Sequence, residues 1–134
     1  MVLDISSAVV AHIRAAAAAS PDHEICGLLF GTATRIEAAQ GCRNVAVDPA
    51  RRFDLDPAAL LAAHRAARAG GAQIVGHYHS HPTGLPEPSR CDAEAAAADG
   101  AIWLIIANGE IRAWRAAAGG TIHGCFDAVT LRTA

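Results

Sequence analysis

The dipeptide Asn108-Gly109 constrains this chain more than any other local feature, because it separates two runs that each read as a strand. Both central residues of a type I′ turn need positive φ, which Asn and Gly adopt at little cost. Ala101 to Ala107 and Glu110 to Ala116 are therefore expected to pair as an antiparallel hairpin, and any fold proposed for the chain must contain a sheet. Asp56-Pro57 gives an equally local signal for a helix: an N-cap acceptor followed by proline at the first helical position, with Gly70-Gly71 as the stop.

Other segments fit between these two anchors. Ser6 to Ala19 reads as a helix ended by Ser20-Pro21, with Val9, Val10, Ile13 and Ala17 near one face. Ile25 to Gly31 is a short apolar run bounded by glycine, a buried strand, and Thr34 to Ala39 returns beside it. A further strand is expected within Asn44 to Asp54, near Arg52 to Leu55, another over Gln73 to His79, and a weaker last one around Thr121 to Phe126. A loop holding Pro82, Gly84, Pro86 and Pro88 precedes a short Ala-rich helix from about Ser89 to Ala98. Helices alternating with strands, several in hairpins, predict an α/β fold with a mixed, partly antiparallel sheet and helices on its faces. The length of 134 residues fits a single domain over 1–134.

Composition removes whole classes of function. About a quarter of the residues are alanine and only 4% are aromatic, so the helices must pack closely. All 11 basic residues are arginine, which excludes Schiff-base lysine chemistry and a Walker A phosphate loop. A net charge of -2 gives no electrostatic reason to bind nucleic acid or an anionic membrane. Ala101 to Ala107 is far shorter than the roughly 20 residues of a membrane-spanning helix, and Met1 to Val10 lacks a basic leader region. Cys26, Cys42, Cys91 and Cys125 form no C-x-x-C pair, so they are read as reduced thiols of a cytoplasmic protein.

The chemistry concentrates in Gly76-His77-Tyr78-His79-Ser80-His81-Pro82, followed after seven residues by Ser89-Arg90-Cys91-Asp92. In an extended segment, residues two apart point to the same side, so His79 and His81 present imidazoles roughly 7 Å apart at Cβ, a span that one metal ion can bridge. Asp92 is the nearest carboxylate that a Pro-rich loop could return over the strand end. Two histidines and a carboxylate leave a fourth tetrahedral position for water, as hydrolytic zinc sites do.

Glu24, then His79-Ser80-His81-Pro82, then Ser89-x-x-Asp92 at that spacing, resembles the JAMM (MPN+) zinc isopeptidase family, and Glu24 to Gly31 resembles its first glutamate-bearing strand. The resemblance covers essentially the whole chain and implies a cytidine-deaminase-like architecture. It implies one zinc ion per chain held by His79, His81 and Asp92. It also implies Glu24 as the base that holds and deprotonates the reacting water, and Ser89 as hydrogen-bond donor to the developing oxyanion. The implied activity is hydrolysis of an amide or isopeptide bond at the C-terminal tail of a small ubiquitin-like protein. For minimal bacterial-type members the implied substrate is a sulfur carrier ending in Gly-Gly, from which an amino acid such as cysteine is released. An extended Gly-Gly tail could add as a strand beside an exposed sheet edge. The chain is too short for the inserted loops with which larger members grip ubiquitin, which argues against polyubiquitin specificity.

Plainer readings stand beside this one. Ser89-x-x-Asp92 before an Ala-rich run is also a helix capping box, and a carboxylate has oxygens enough for both roles. Glu24 alone would be an ordinary solvated loop residue. His77 shares the parity of His79 and His81, so the segment also resembles the histidine triad nucleotide hydrolases, although Ser80 and Pro82 stand where that family prefers apolar residues. His77 is otherwise a packing residue. Cys91 should not face a metal together with Asp92, because neighbours on a helix point about 100° apart. No H-E-x-x-H helix and no P-C-x-x-C deaminase signature is present. A relative that keeps the fold as a non-catalytic scaffold is a third reading, disfavoured by the presence of every metal-site residue. Oligomeric state is not legible.

Overall fold

The computed structural model describes residues 1–134, which run in the order β1 (Val2–Ile5), α1 (Ser7–Ala18), β2 (Cys26–Thr32), β3 (Arg35–Cys42), α2 (Pro57–Arg68), β4 (Ile74–Ser80), α3 (Arg90–Ala95), β5 (Ile102–Ala107), β6 (Glu110–Gly120) and β7 (Gly124–Thr133). The local signals act as expected where they are strongest. Asn108 and Gly109 have φ of 51° and 77°, and β5 and β6 pair antiparallel from Ala107 with Glu110 to Ile102 with Arg115. Ser6 caps α1 by accepting from Val9 N, Asp56 caps α2 by accepting from Ala58 N, and Pro57 occupies the first turn.

The seven strands form one mixed sheet in the spatial order β1-β3-β2-β4-β5-β6-β7, and parallel pairing of β1 with β7 closes it into a barrel. The α/β class with helices against a mixed sheet is thus observed, whereas closure was not foreseen. β1 was missed altogether, and β7 starts later and runs further than expected. β1 finds β7 across nearly the full length of the chain, Val2 opposite Thr130 and Ile5 opposite Thr133, so no short-range pattern marks it, whereas β7 also pairs with the adjacent β6. Closure leaves no strand with a wholly unpaired edge, but β3 pairs with β1 only at Arg35 and Ile36, so residues 37–42 keep one edge unpaired.

Two other expectations are corrected. The segment expected as a strand near Arg52 to Leu55 makes only an isolated bridge, Asn44 to Leu55, because side-chain bonds from Asn44 organise it as a loop. The third helix stops at Ala95 rather than Ala98: Ala96 is extended, and Asp99 accepts from Ala101 N as the chain turns into β5. No helix is long and apolar enough to cross a membrane.

Alternation along the strands separates two apolar clusters. Tyr78, Ile102, Leu104 and Ile106 face one way and pack with Val9, Val10 and Ile13 of α1. Trp103, Ile105, Trp114 and Phe126 face the other way. On β4 the same period-2 rule sends Tyr78 into the first cluster and His77 and His79 toward Trp103, so the histidine face is fixed by the strand's apolar residue.

Backbones approach very closely where β4 meets β5. A Cβ placed on Gly76 would lie 1.9 Å from the carbonyl oxygen of Ile102, whereas on Gly41 its nearest contact would be the Tyr78 hydroxyl at 3.6 Å. Gly76→Ala is expected to lower unfolding free energy by about 3 kcal/mol or more. Gly41→Ala should be neutral or stabilising by up to about 1 kcal/mol. Urea unfolding of the two variants checks the contrast.

Candidate metal centre

The pairing of β2 with β4 does what no single segment could. The strands run antiparallel with Cys26 opposite His79, and the ladder continues past their ends, where Ser80 N donates to Ile25 O. One further step along this register brings Glu24 opposite His81. A second bond locks the register, Ile25 N donating to Ser80 Oγ at 2.9 Å. The result is a cluster in which ligand atoms of Glu24, His79 and His81 all lie within 4.8 Å of one another.

Asp92 arrives from the other direction. After His81 the chain leaves β4 through the Pro-rich loop, which is tied down at four places: Leu85 O accepts from His81 Nδ1, Pro86 O from Trp114 Nε1, Pro88 O is bonded to His123 Nε2, and Glu87 pairs with Arg112. That loop ends at Ser89, whose capping box with Asp92 is fully formed. Ser89 Oγ accepts from Asp92 N at 3.0 Å, and Asp92 Oδ2 accepts from Ser89 N at 2.9 Å. The same Oδ2 lies 3.2 Å from both His79 Nε2 and His81 Nε2. Capping and clustering therefore coexist on one carboxylate. The sequence-derived residues Glu24, His79, His81, Ser89 and Asp92 all come together, and no cysteine joins the cluster.

These distances test whether a cation fits. His79 Nε2 and His81 Nε2 are 3.1 Å apart, and with Asp92 Oδ2 they form a nearly equilateral triangle. Three donors bound tetrahedrally to one ion at about 2.0–2.1 Å would stand about 3.3 Å apart. Imidazole N–H bonds to Asp92 can span two sides of the triangle, whereas the side between the two imidazoles needs a shared proton or a shared ion. A carbonyl oxygen only accepts, so the 2.8 Å contact with Leu85 O requires the proton of His81 on Nδ1 and leaves a lone pair on Nε2 of the neutral ring. That lone pair then faces a carboxylate and a second imidazole. The residues present fit a divalent metal.

Burial sets the protonation of the neighbours. It holds the pKa of His79 down, against the pull of Asp92, and so favours the neutral ring that a metal needs. Burial also opposes charge on Asp92, yet bonds to the two histidines keep it well below the usual carboxylate range. His81 is disfavoured as a cation by burial, but Asp92 and Leu85 O outweigh this and raise its pKa. Glu24 is 5% exposed and its Oε1 has no partner; burial pushes its pKa up to about 7, with Asp92 and Asp48 adding to the rise against the opposing effect of His81.

His77 lies outside the triangle. Its ring stands edge-on to Trp103 at 4.3 Å, with Nδ1 unpartnered, and burial, aided by His79, lowers its pKa to about 4. Sequence reasoning missed Ser80, Leu85, Asn44 and Phe53 as parts of the site. For Leu85 the signal was absent in principle, since it contributes through its backbone carbonyl. Ser80 carried a weak one, opposite in parity to the histidines and so directed toward a neighbouring strand.

Comparison with known proteins shows the family and the fold. The family described as prokaryotic homologs of the JAB domain matches residues 6–117. A desampylase from Haloferax volcanii is 38% identical over 104 residues, covering 76% of this chain and 75% of that protein. The solution structure of a protein from Desulfitobacterium hafniense superposes with a TM-score of 0.81 at 24% identity, covering 100% of this chain and 93% of that one. The crystal structure of a JAB1/MPN domain protein from Archaeoglobus fulgidus gives a TM-score of 0.60 at 16% identity, covering 97% of each chain. The last two establish the likeness of fold.

The raised pKa of Glu24 carries a pH-dependent stability with a defined sign. Between about 4.5 and about 7 the folded metal-free protein keeps a proton that the unfolded chain releases, so this group's contribution falls as pH rises through that window. In metal-free protein, Glu24→Gln should match wild type near pH 4 and be more stable above pH 7 by on the order of 1–3 kcal/mol. Unfolding curves at pH 4 and pH 8 read the difference, and an equal difference at both pH values contradicts it.

Proposed function

The chain belongs to the prokaryotic JAB-domain family, and on that premise we propose that it is a zinc-dependent peptidase that cleaves an amide or isopeptide bond at the C-terminal tail of a small ubiquitin-like protein. The observation that carries this reading is the convergence of two imidazole nitrogens and one carboxylate oxygen, 3.1–3.2 Å apart, with the buried, unpartnered Glu24 beside them. His79, His81 and Asp92 would hold one zinc ion, a donor set with room for a fourth position. When bound, zinc supplies Lewis-acid polarisation of a water and of the scissile carbonyl.

The chain's own residues supply the rest. Glu24 Oε1 accepts a proton from the attacking water and delivers it to the leaving nitrogen, a task suited to a carboxyl whose pKa lies near neutrality. Ser89 Oγ is already occupied as an acceptor by Asp92 N, which leaves its hydrogen free to donate to the oxygen that gains negative charge at the carbonyl. Leu85 O fixes the ring of His81.

Two cavities both have His81 and Pro82 in their walls: one of about 290 Å³ reaches Glu24, Arg51 and Ser89, and one of about 280 Å³ reaches Arg14, Ala17 and Asn108. An extended tail could run through these cavities on either side of the reacting carbonyl. The match to a desampylase supports a ubiquitin-like partner, which we take to be a sulfur-carrier type ending in Gly-Gly. Four free thiols suit a cytoplasmic setting. Residues 1–134 form one catalytic domain in this reading, with neither nucleic acid nor membrane as partner.

Purified protein should contain one zinc ion per chain, and His81→Ala or Asp92→Ala should lose it. Incubated with a ubiquitin-like carrier whose Gly-Gly tail is joined to an amino acid or to a lysine side chain, it should release the amine, as read by mass spectrometry. Glu24→Gln should keep the zinc and lose about 10²–10⁴-fold in kcat. Full activity in Glu24→Gln contradicts the assigned base, and zinc-loaded protein that binds carriers but cleaves none is a scaffold.

A further inference from the structure

We propose that Phe53 and Asn44 are positioning residues for the metal ligand His79, taking the place of the hydrogen bond that its outer nitrogen lacks. The two metal-site histidines are held differently. His81 donates from Nδ1 to Leu85 O at 2.8 Å, the usual way in which a ligating imidazole is oriented. His79 is fully buried, and its Nδ1 has no partner. If Nε2 faces the metal, nothing polar on the far side of the ring fixes its rotation.

An aromatic ring does so. Phe53 stacks on His79 with ring centroids 4.3 Å apart and planes inclined by 21°. Trp103 meets the same imidazole edge-on at 5.9 Å, so His79 is bounded by a ring over its face and a ring across it. Aromatic stacking has a defined geometry.

Phe53 belongs to no helix or strand, so something must hold its ring in place. Asn44 does this by bracketing it: Nδ2 donates to the carbonyl of Arg52, and Oδ1 accepts from the amide of Asp54, the residues on either side of Phe53. Nδ2 also donates to Glu24 O at 3.0 Å, and Oδ1 accepts from Ala46 N. One side-chain amide thus ties the segment carrying Glu24 to the loop that presses Phe53 onto His79. Pro49 O, accepting from Glu24 N at 2.8 Å, ties the same loop to the same residue a second time.

This inference rests on His79 as a metal ligand but not on the identity of the substrate. The test is zinc affinity of the full chain, measured by competition with a chromophoric chelator. Phe53→Leu keeps apolar volume and removes the ring, and should weaken zinc binding about 10- to 100-fold. Phe53→Tyr keeps the ring and should bind zinc within about 3-fold of wild type, a rescue that a merely space-filling role would not need. Asn44→Asp retains the acceptor and loses both Nδ2 bonds, and should weaken binding without abolishing it. Melting of the metal-free variants identifies any loss caused by unfolding, and Asn44→Asp keeps the question open to measurement should Phe53→Leu fail to fold. Wild-type affinity in both Phe53→Leu and Asn44→Asp overturns the inference while leaving the proposed function standing. Absence of zinc binding by wild type overturns both.

Discussion

Three ligand atoms converging on one point are the constraint around which the rest of the structure is arranged. His79 Nε2, His81 Nε2 and Asp92 Oδ2 stand 3.1–3.2 Å apart, close to the spacing of three donors around one ion, and an Nδ1 proton of His81 is committed to Leu85 O. A cation at the centre of this arrangement would engage all three atoms at once. The chain maintains it by satisfying every neighbouring requirement elsewhere: the capping box holds Asp92, the Leu85 carbonyl holds His81, and burial keeps His79 neutral.

The barrel converts this local arrangement into a rigid one. Register between β2 and β4 brings Glu24 to His81 from the far side of the sequence, and the parallel pairing of β4 with β5 opens the site at the carboxyl ends of both strands. The crossover between those two strands is the same Pro-rich loop and short helix that deliver Asp92, and it is anchored to β6 through Trp114 and Arg112. A site held from several elements loses little on reorganisation during reaction, which is where electrostatic stabilisation is gained.

What could be read from the sequence follows how far each contact reaches along the chain. The relation of His79 to His81 needs only the period of a strand, and that of Ser89 to Asp92 only the first turn of a helix, so both were legible. The hairpin at Asn108-Gly109 and the helix after Asp56-Pro57 were legible for the same reason. Glu24 was reachable only through the resemblance, since its placement depends on a register between strands more than 40 residues apart. Asn44 and Phe53 gave no pattern at all: the amide of Asn44 bonds to backbone groups 2 to 20 residues away, and Phe53 sat in a stretch that read as a strand. Closure by β1 and β7 is the extreme case, because a four-residue strand and a ten-residue strand pair from opposite ends of the chain.

The most direct test of the account is X-ray absorption at the zinc edge of metal-loaded protein in solution. It should show only light scatterers near about 2.0 Å, with the multiple-scattering signature of two imidazoles and further oxygen neighbours. A scatterer near about 2.3 Å would mean that a cysteine holds the metal, and a spectrum with fewer than two imidazoles would mean that His79 and His81 do not share it; either result contradicts the central claim.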